Sequence, residues 1–211
     1  MDGTLVNTEP YWIRAETELL ARYGVTWRHE DALQMVGKGL WHSAEILRAA
    51  GASELSADEI VYSLSDSVRG LLRTQGIPWQ PGARELLREL REAGIHTALV
   101  TMSLRDMAEE VAGQAGFDAF DVIVAGDDGT EAKPHPGPYL RALQLLGVDA
   151  GYSVGIEDSL TGVASARAAG LATLGVPHMI DLSASEAHVV WPSLAGRTLA
   201  DLESILNEAA R

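Results

Sequence analysis

From His96 onward the chain repeats one unit: a short apolar run, a loop, an amphipathic stretch and a glycine. The apolar runs are His96–Val100, Val122–Ala125, Ser153–Ile156 and Ala172–Val176, short and rich in small or β-branched residues, as fully buried strands are. Between them lie helical patterns over Arg105–Ala115, Gly137–Leu146 and Leu160–Ala169. Each is followed by Gly116, Gly147 or Gly170, the residue type that takes the left-handed turn ending a helix. Strands alternating with helices of this length predict a parallel sheet joined by right-handed crossovers, with helices on both faces. A run around His188–Trp191 and a helical pattern from Leu199 close the series, and Pro81-Gly82 opens a helix over Ala83–Ala93 ahead of it.

The first third reads differently. Over Pro10–Tyr23, residues Trp12, Ala15, Leu19, Leu20 and Tyr23 fall at helical spacing, with Arg14, Glu16, Glu18 and Arg22 as the charged residues between them. Further helical pattern covers Ala44–Ala50 and Ser56–Thr74, punctuated by Gly24, Gly37, Gly39, Gly51 and Gly76, with no convincing strand. The predicted class is α/β: a Rossmann-like parallel sheet with helices on both faces, plus an inserted small helical unit.

Composition excludes several functions. A formal net charge of −14 repels nucleic acid and anionic membrane, whose binding depends on Lys and Arg. A small anion in a local pocket stays compatible, because charges beyond a Debye length of about 8 Å are screened. With 0 Cys there is no disulfide, zinc-thiolate site or thiol nucleophile. No apolar run reaches membrane length and no signal-peptide pattern opens the chain, so a cytoplasmic protein is expected.

In open parallel sheets ligands gather at the carboxyl ends of strands. Those positions hold Thr101-Met102-Ser103, the Gly126-Asp127-Asp128 loop running on to Lys133, and Glu157-Asp158-Ser159. Hydroxyls, an ammonium and backbone N–H groups suit a phosphate; adjacent carboxylates suit a hard cation such as Mg²⁺. Each group has a plainer reading. Thr101 or Ser103 can cap the next helix, as can Glu157-Asp158-Ser159, and Lys133 can be an exposed loop residue. Asp127 and Asp128 read as solvated turn acids, and His135 as a loop residue without a metal-spaced partner. Gly37-Lys38-Gly39 fails as a phosphate-binding P-loop, because Ala32 and Gly39 stand where that motif needs Gly and Ser or Thr.

Taken jointly the motifs are more specific. Met1-Asp2-Gly3-Thr4-Leu5-Val6-Asn7-Thr8-Glu9 resembles the first motif of the haloacid dehalogenase-like phosphohydrolases, Asp-x-Asp-Gly-Thr-Leu-x-Asp-Ser/Thr-Glu. Thr101 is similar to the second motif, Lys133-Pro134-His135-Pro136 to the third, and Gly155-Ile156-Glu157-Asp158-Ser159 followed by Gly162 to the fourth. The helical insert after the first motif resembles the cap of the subgroup containing phosphoglycolate phosphatase and beta-phosphoglucomutase. The resemblance implies a core of residues 1–8 and 80–211 and a cap of residues 9–79. It makes Asp2 the general acid/base, gives Thr101, Met102, Ser103 and Lys133 to the phosphoryl group, and gives Mg²⁺ to Asp2, Glu157 and Asp158.

Two departures stand out. Asn7 occupies a position usually held by Asp. The nucleophilic first Asp would fall before Met1, together with an apolar strand that in this fold lies between the strands ending at Thr101 and Ile156. The expectation is a start site placed too late, with an inactive truncated paralogue acting as a binding protein as the alternative. The implied activity is hydrolysis of a small phosphorylated metabolite, with a sugar phosphomutase as runner-up, by a monomer or small homo-oligomer. Specificity is expected in the helical insert, where Lys38, Trp41 and His42 offer charge, stacking and hydrogen bonding.

Overall fold

The computed structural model describes residues 1–35 and 37–209. Four helices come first among them: α1 (Glu9–Ala21), α2 (His29–Leu33), α3 (Leu40–Ala50) and α4 (Ala57–Gln75). They pack on one another as a bundle. Pro10 starts α1, where its missing N–H costs nothing. Ser56 caps α4: its hydroxyl accepts from the Glu59 N–H at 3.2 Å, and the Glu59 carboxylate accepts from the Ser56 N–H at 2.8 Å. The five residues of α2 are too few to show a helical period, and the sequence carries no sign of them.

The apolar stripe of α1 buries Trp12, Ala15, Leu19 and Leu20. It buries Glu16 as well, contrary to the place of that residue among the exposed charges of the helix. Trp27 folds back from the following loop, and its indole Nε1–H donates to Glu16 Oε2 at 3.1 Å, which satisfies one buried oxygen.

The rest of the described chain runs α5 (Ala83–Glu92), β1 (Ala98–Val100), α6 (Arg105–Gly113), β2 (Val122–Val124), α7 (Gly137–Leu146), β3 (Val154–Glu157), α8 (Leu160–Ala168), β4 (Ala172–Gly175), β5 (Val189–Val190) and α9 (Leu199–Ala209). The elements alternate as the sequence predicts, and β1 to β5 pair in parallel, with one isolated antiparallel bridge between Val6 and Trp79. β1 starts later than the apolar run because the Thr97 N–H and hydroxyl go to Asp121 Oδ2 and the Ala119 carbonyl instead.

The sheet is in two pieces. β1 pairs with β2, Leu99 opposite Ile123, while β3, β4 and β5 pair in that order, Ile156 opposite Leu174. Among the described residues no backbone hydrogen bond joins β1 to β3. The buried apolar residues likewise fall into a large cluster and a small one around Tyr139, Ala166 and Leu171. No described helix is long and apolar enough to cross a membrane.

Candidate active site

The turn Asp2-Gly3-Thr4 meets the end of β3 at close range. Gly3 has φ +76°, and a Cβ there would stand 2.1 Å from Asp158 Oδ2, so both conformation and space require glycine. Thr4 Oγ1 then donates to Asp158 Oδ1 at 2.9 Å. Asp2 is held by three donors: Ser103 Oγ at 2.6 Å on Oδ2, and Trp12 Nε1 at 3.2 Å with Thr8 Oγ1 on Oδ1. One carboxylate is thereby fixed between β1 and the helical bundle.

The loop after β1 does not use its hydroxyls to cap α6. Asp127 does that, accepting the Arg105 N–H on Oδ1 at 2.9 Å. Asp128, an exposed acid of the same turn, is paired as well: it accepts from Arg105 at 2.6 Å and from the Ala125 N–H at 2.9 Å. This pair shapes the loop and leaves Thr101 and Ser103 turned to the cleft. Thr101 Oγ1 accepts the Ser103 N–H at 3.1 Å, while the Met102 N–H donates to no group among the described residues.

A similar division appears after β3. Ser159 caps α8, its hydroxyl accepting from the Gly162 N–H at 3.1 Å, so the capping role falls on the hydroxyl and both acids stay in the cleft. Lys133 is not an exposed loop residue either. Its side chain is buried, with Nζ 2.5 Å from Glu157 Oε1 and 3.1 Å from the Val100 carbonyl. The Tyr139 hydroxyl donates to the same Glu157 oxygen. Burial first, then the Glu157 charge, keeps that phenol well above its ordinary range.

A cleft of about 130 Å³ gathers these groups. Asp2, Thr101, Met102, Ser103, Lys133, Glu157 and Asp158 line its floor; Glu9, Trp12, Glu16, Lys38 and Ser43 come from the helical bundle. His42 is exposed and not in the lining, and the Trp41 indole donates to Asp58 within the bundle at 2.7 Å. His135 lies in a loop with Nε2 3.2 Å from Glu131.

Negative charge is crowded here. Asp158 is pushed up to about 6 by burial and then by the Glu157 carboxylate. Glu9 is pushed up to about 7 by burial and by the charges of Asp2, Asp158 and Glu16, and Glu16 to about 7 by burial, partly offset by Trp27. Among the described residues no three His, Cys, Asp or Glu side chains are arranged to hold a metal. The donor set nonetheless suits a hard cation at Asp158, a buried carboxylate that accepts only from Thr4 Oγ1 among the described residues. Glu157 fits less well, because Lys133 and Tyr139 already occupy Oε1.

Glu9, Trp12, Glu16 and Tyr139 were not identifiable as site residues from spacing. Trp12 and Glu16 lie within an ordinary amphipathic pattern, and Tyr139 lies on the inward face of α7 with no motif around it.

The haloacid dehalogenase-like hydrolase family model matches residues 1–170. Hexitol phosphatase B of Escherichia coli (strain K12) is 30% identical over 186 residues, 84% of this chain and 81% of that protein. Protein CbbY of Rhodobacter capsulatus is 31% identical over 188 residues, covering 84% and 82%. The crystal structure of CbbY from Rhodobacter sphaeroides in complex with phosphate superposes with a TM-score of 0.84 at 30% identity, over 96% of each chain. Motifs, fold and relatives agree: the chain belongs to the haloacid dehalogenase-like hydrolase family.

Proposed function

We propose that this protein is a Mg²⁺-dependent phosphatase that hydrolyses a small phosphorylated metabolite through an aspartyl-phosphate. The observation that carries the reading is the convergence of Asp2, Thr101, Lys133 and Asp158 on one cleft from four separated stretches of sequence. The name of the hexitol phosphatase relative supports the same chemistry.

Asp2 is the general acid/base. Its bonds to Ser103, Thr8 and Trp12 fix the carboxyl so that it hands a proton to the leaving oxygen and then takes one from water. Thr101 Oγ1 and the Met102 N–H hold phosphoryl oxygens, and the Lys133 ammonium neutralises charge beside them. Glu157 and the Val100 carbonyl position Lys133. Asp158, with the Asp2 main-chain carbonyl, is the set that would hold Mg²⁺, which when bound supplies positive charge to the phosphoryl oxygens. In the family motif the nucleophile stands two positions before the residue that Asp2 matches.

The helical bundle of residues 9–79 acts as a cap over the core of residues 1–8 and 80–211, excluding water as it closes. Lys38 is the cap residue nearest this role. A phosphomutase is the weaker reading, because a second phosphate would meet Glu9 and Glu16 beside it.

The test is phosphate release from a panel of monoesters. The 211-residue chain is compared with a version extended ahead of Met1 by an apolar segment ending in Asp. Hydrolysis by the extended chain, lost when that Asp becomes Asn, is the expected result; a folded extended chain inert on every ester contradicts the reading.

A further inference from the structure

One face of α1 carries Glu9, Trp12 and Glu16 at the i, i+3, i+7 spacing of a helical stripe, and all three line the catalytic cleft from the helical bundle. Trp12 is pinned to the core, its indole N–H donating to Asp2 Oδ1 at 3.2 Å. Glu16 stands about one turn further along the helix. It is only 6% exposed, and the Trp27 indole donates to its Oε2 at 3.1 Å. Its other oxygen, Oε1, accepts from no group among the described residues and keeps access to the cleft. A buried acceptor without a donor calls for a partner. Burial raises the Glu16 carboxyl to about 7, and the charges that act on Glu9 are those of Asp2, Asp158 and Glu16, all negative. Neither acid pairs with a Lys, Arg or His among the described residues; Lys38 enters the lining from the loop that Thr161 holds to the core. Among the described residues no three acid or His side chains are arranged to hold a metal, and an indole ligates none. Carboxylates beside an aromatic ring in a partly desolvated wall are instead the surroundings of an organic ammonium.

We propose that Glu16, with the Trp12 indole beside it, is the subsite for a protonated amine on the leaving group, so that the substrate class is the phosphate monoester of a small amino alcohol. The ammonium donates to Glu16 Oε1, while Trp27 holds the carboxyl in place through Oε2. Glu9, at the start of the same stripe, adds negative charge. A neutral polyol also donates hydrogen bonds but leaves these carboxylates without a counter-charge, and a second anion adds to them. The phosphate end meets Thr101 and Lys133 on the floor of the cleft, the amine end meets α1, and the chain between them passes Asp2 and Trp12. Selection by charge thus falls on α1, outside the loop of Lys38, Trp41 and His42. The assignment rests on the phosphatase reading for its phosphate end; the amine end stands on α1 alone.

The experiment titrates the 211-residue chain, in buffer containing Mg²⁺, with straight-chain phosphate monoesters ending in an amine, a hydroxyl or a carboxylate, each at several chain lengths. Inorganic phosphate and the matching alkylammonium ions complete the set. Calorimetry reads Kd for the native protein and for Glu16→Gln, which keeps the acceptor for Trp27, and thermal unfolding confirms that the variant is folded. The amino ester is expected to bind at least ~10-fold tighter than the hydroxyl ester of equal length, with the carboxylate ester weakest. Glu16→Gln should bring the amino and hydroxyl esters within ~3-fold of each other, and Glu16→Asp, which keeps the charge, should restore part of the preference. The Trp27 indole N–H resonance should shift with the amino ester and not with the hydroxyl ester, because the two donors share one carboxyl. Equal binding of amino and hydroxyl esters, or a preference that survives Glu16→Gln in full, overturns the proposal. So does a carboxylate ester that binds tightest, which would make Lys38 the selecting residue. So too does the absence of binding by every probe. If amino and hydroxyl esters bind alike and inorganic phosphate displaces both, the phosphatase reading stands and the amine subsite falls. If the esters bind no better than the alkylammonium ions, and that binding needs Glu16, the subsite stands and the phosphatase reading falls.

Discussion

Lys133 joins the two halves of the split sheet: its ammonium donates to the Val100 carbonyl at the end of β1 and lies 2.5 Å from Glu157 Oε1 at the end of β3. A single side chain from the loop before α7 therefore spans the gap between two strands that share no ladder. The same position places its charge over the cleft.

Lys133→Met keeps the apolar stem and removes the charge. Glu157 then loses its buried partner beside Asp158, a defect of about 3–5 kcal/mol. Urea unfolding of the variant is expected to show a loss in that range with an unchanged m-value. A loss within ~0.5 kcal/mol, typical of an ordinary surface change, would mean the ammonium does not join the halves.

The buried Glu16 makes stability depend on pH in a defined direction. Its folded value, about 7, lies above the ordinary 4.5, so its contribution is fully present below pH 4.5 and is lost as pH rises through 7. Glu16→Gln keeps an acceptor for Trp27 and removes the ionisation. The variant is expected to gain on the native protein progressively between pH 4.5 and 7, by on the order of 3 kcal/mol at the top. Parallel stability curves for the two proteins over that interval would refute the assignment.

Gly37 binds the helical bundle to the core. It has φ +75°, its carbonyl accepts from Thr161 Oγ1 at 2.5 Å, and a Cβ there would lie 2.7 Å from Ser159 Cβ and 2.9 Å from Thr161 Oγ1. Gly24 has φ +72° with nothing within 4 Å of its Cβ position, which makes it the control. Gly24→Ala should cost about 1–2 kcal/mol for the left-handed backbone alone. Gly37→Ala should cost more and loosen the contact at Ser159, seen as faster amide exchange at Leu160–Thr161. Equal thermal shifts for the two variants would show that the contact contributes nothing.

The sheet elements were legible in the sequence because each apolar run has a glycine close by and the first three are each followed by a full helical period. The motifs also located the floor of the cleft, from Asp2 through Thr101 and Lys133 to Asp158. What escaped were features made by contacts between distant residues. Glu16 reads as a surface charge until Trp27 folds back on it. Asp128 reads as a turn acid until Arg105 reaches it, and Tyr139 carries no local mark of its bond to Glu157. His42, attractive beside Lys38 in the sequence, stands exposed outside the cleft lining because α3 turns it away.

The most direct measurement is the Mg²⁺ dependence of aryl phosphate hydrolysis by the extended chain, with Asp158→Asn beside it. Asn keeps the acceptor for Thr4 Oγ1 and removes a carboxylate that burial already disfavours, so folding is retained. Turnover should rise with Mg²⁺, vanish with chelator, and fall at least ~100-fold in the variant at every Mg²⁺ concentration reached. Turnover indifferent to chelator, or an Asp158→Asn protein as active as its parent at limiting Mg²⁺, would contradict a metal-assisted phosphoryl-transfer site built on Asp158.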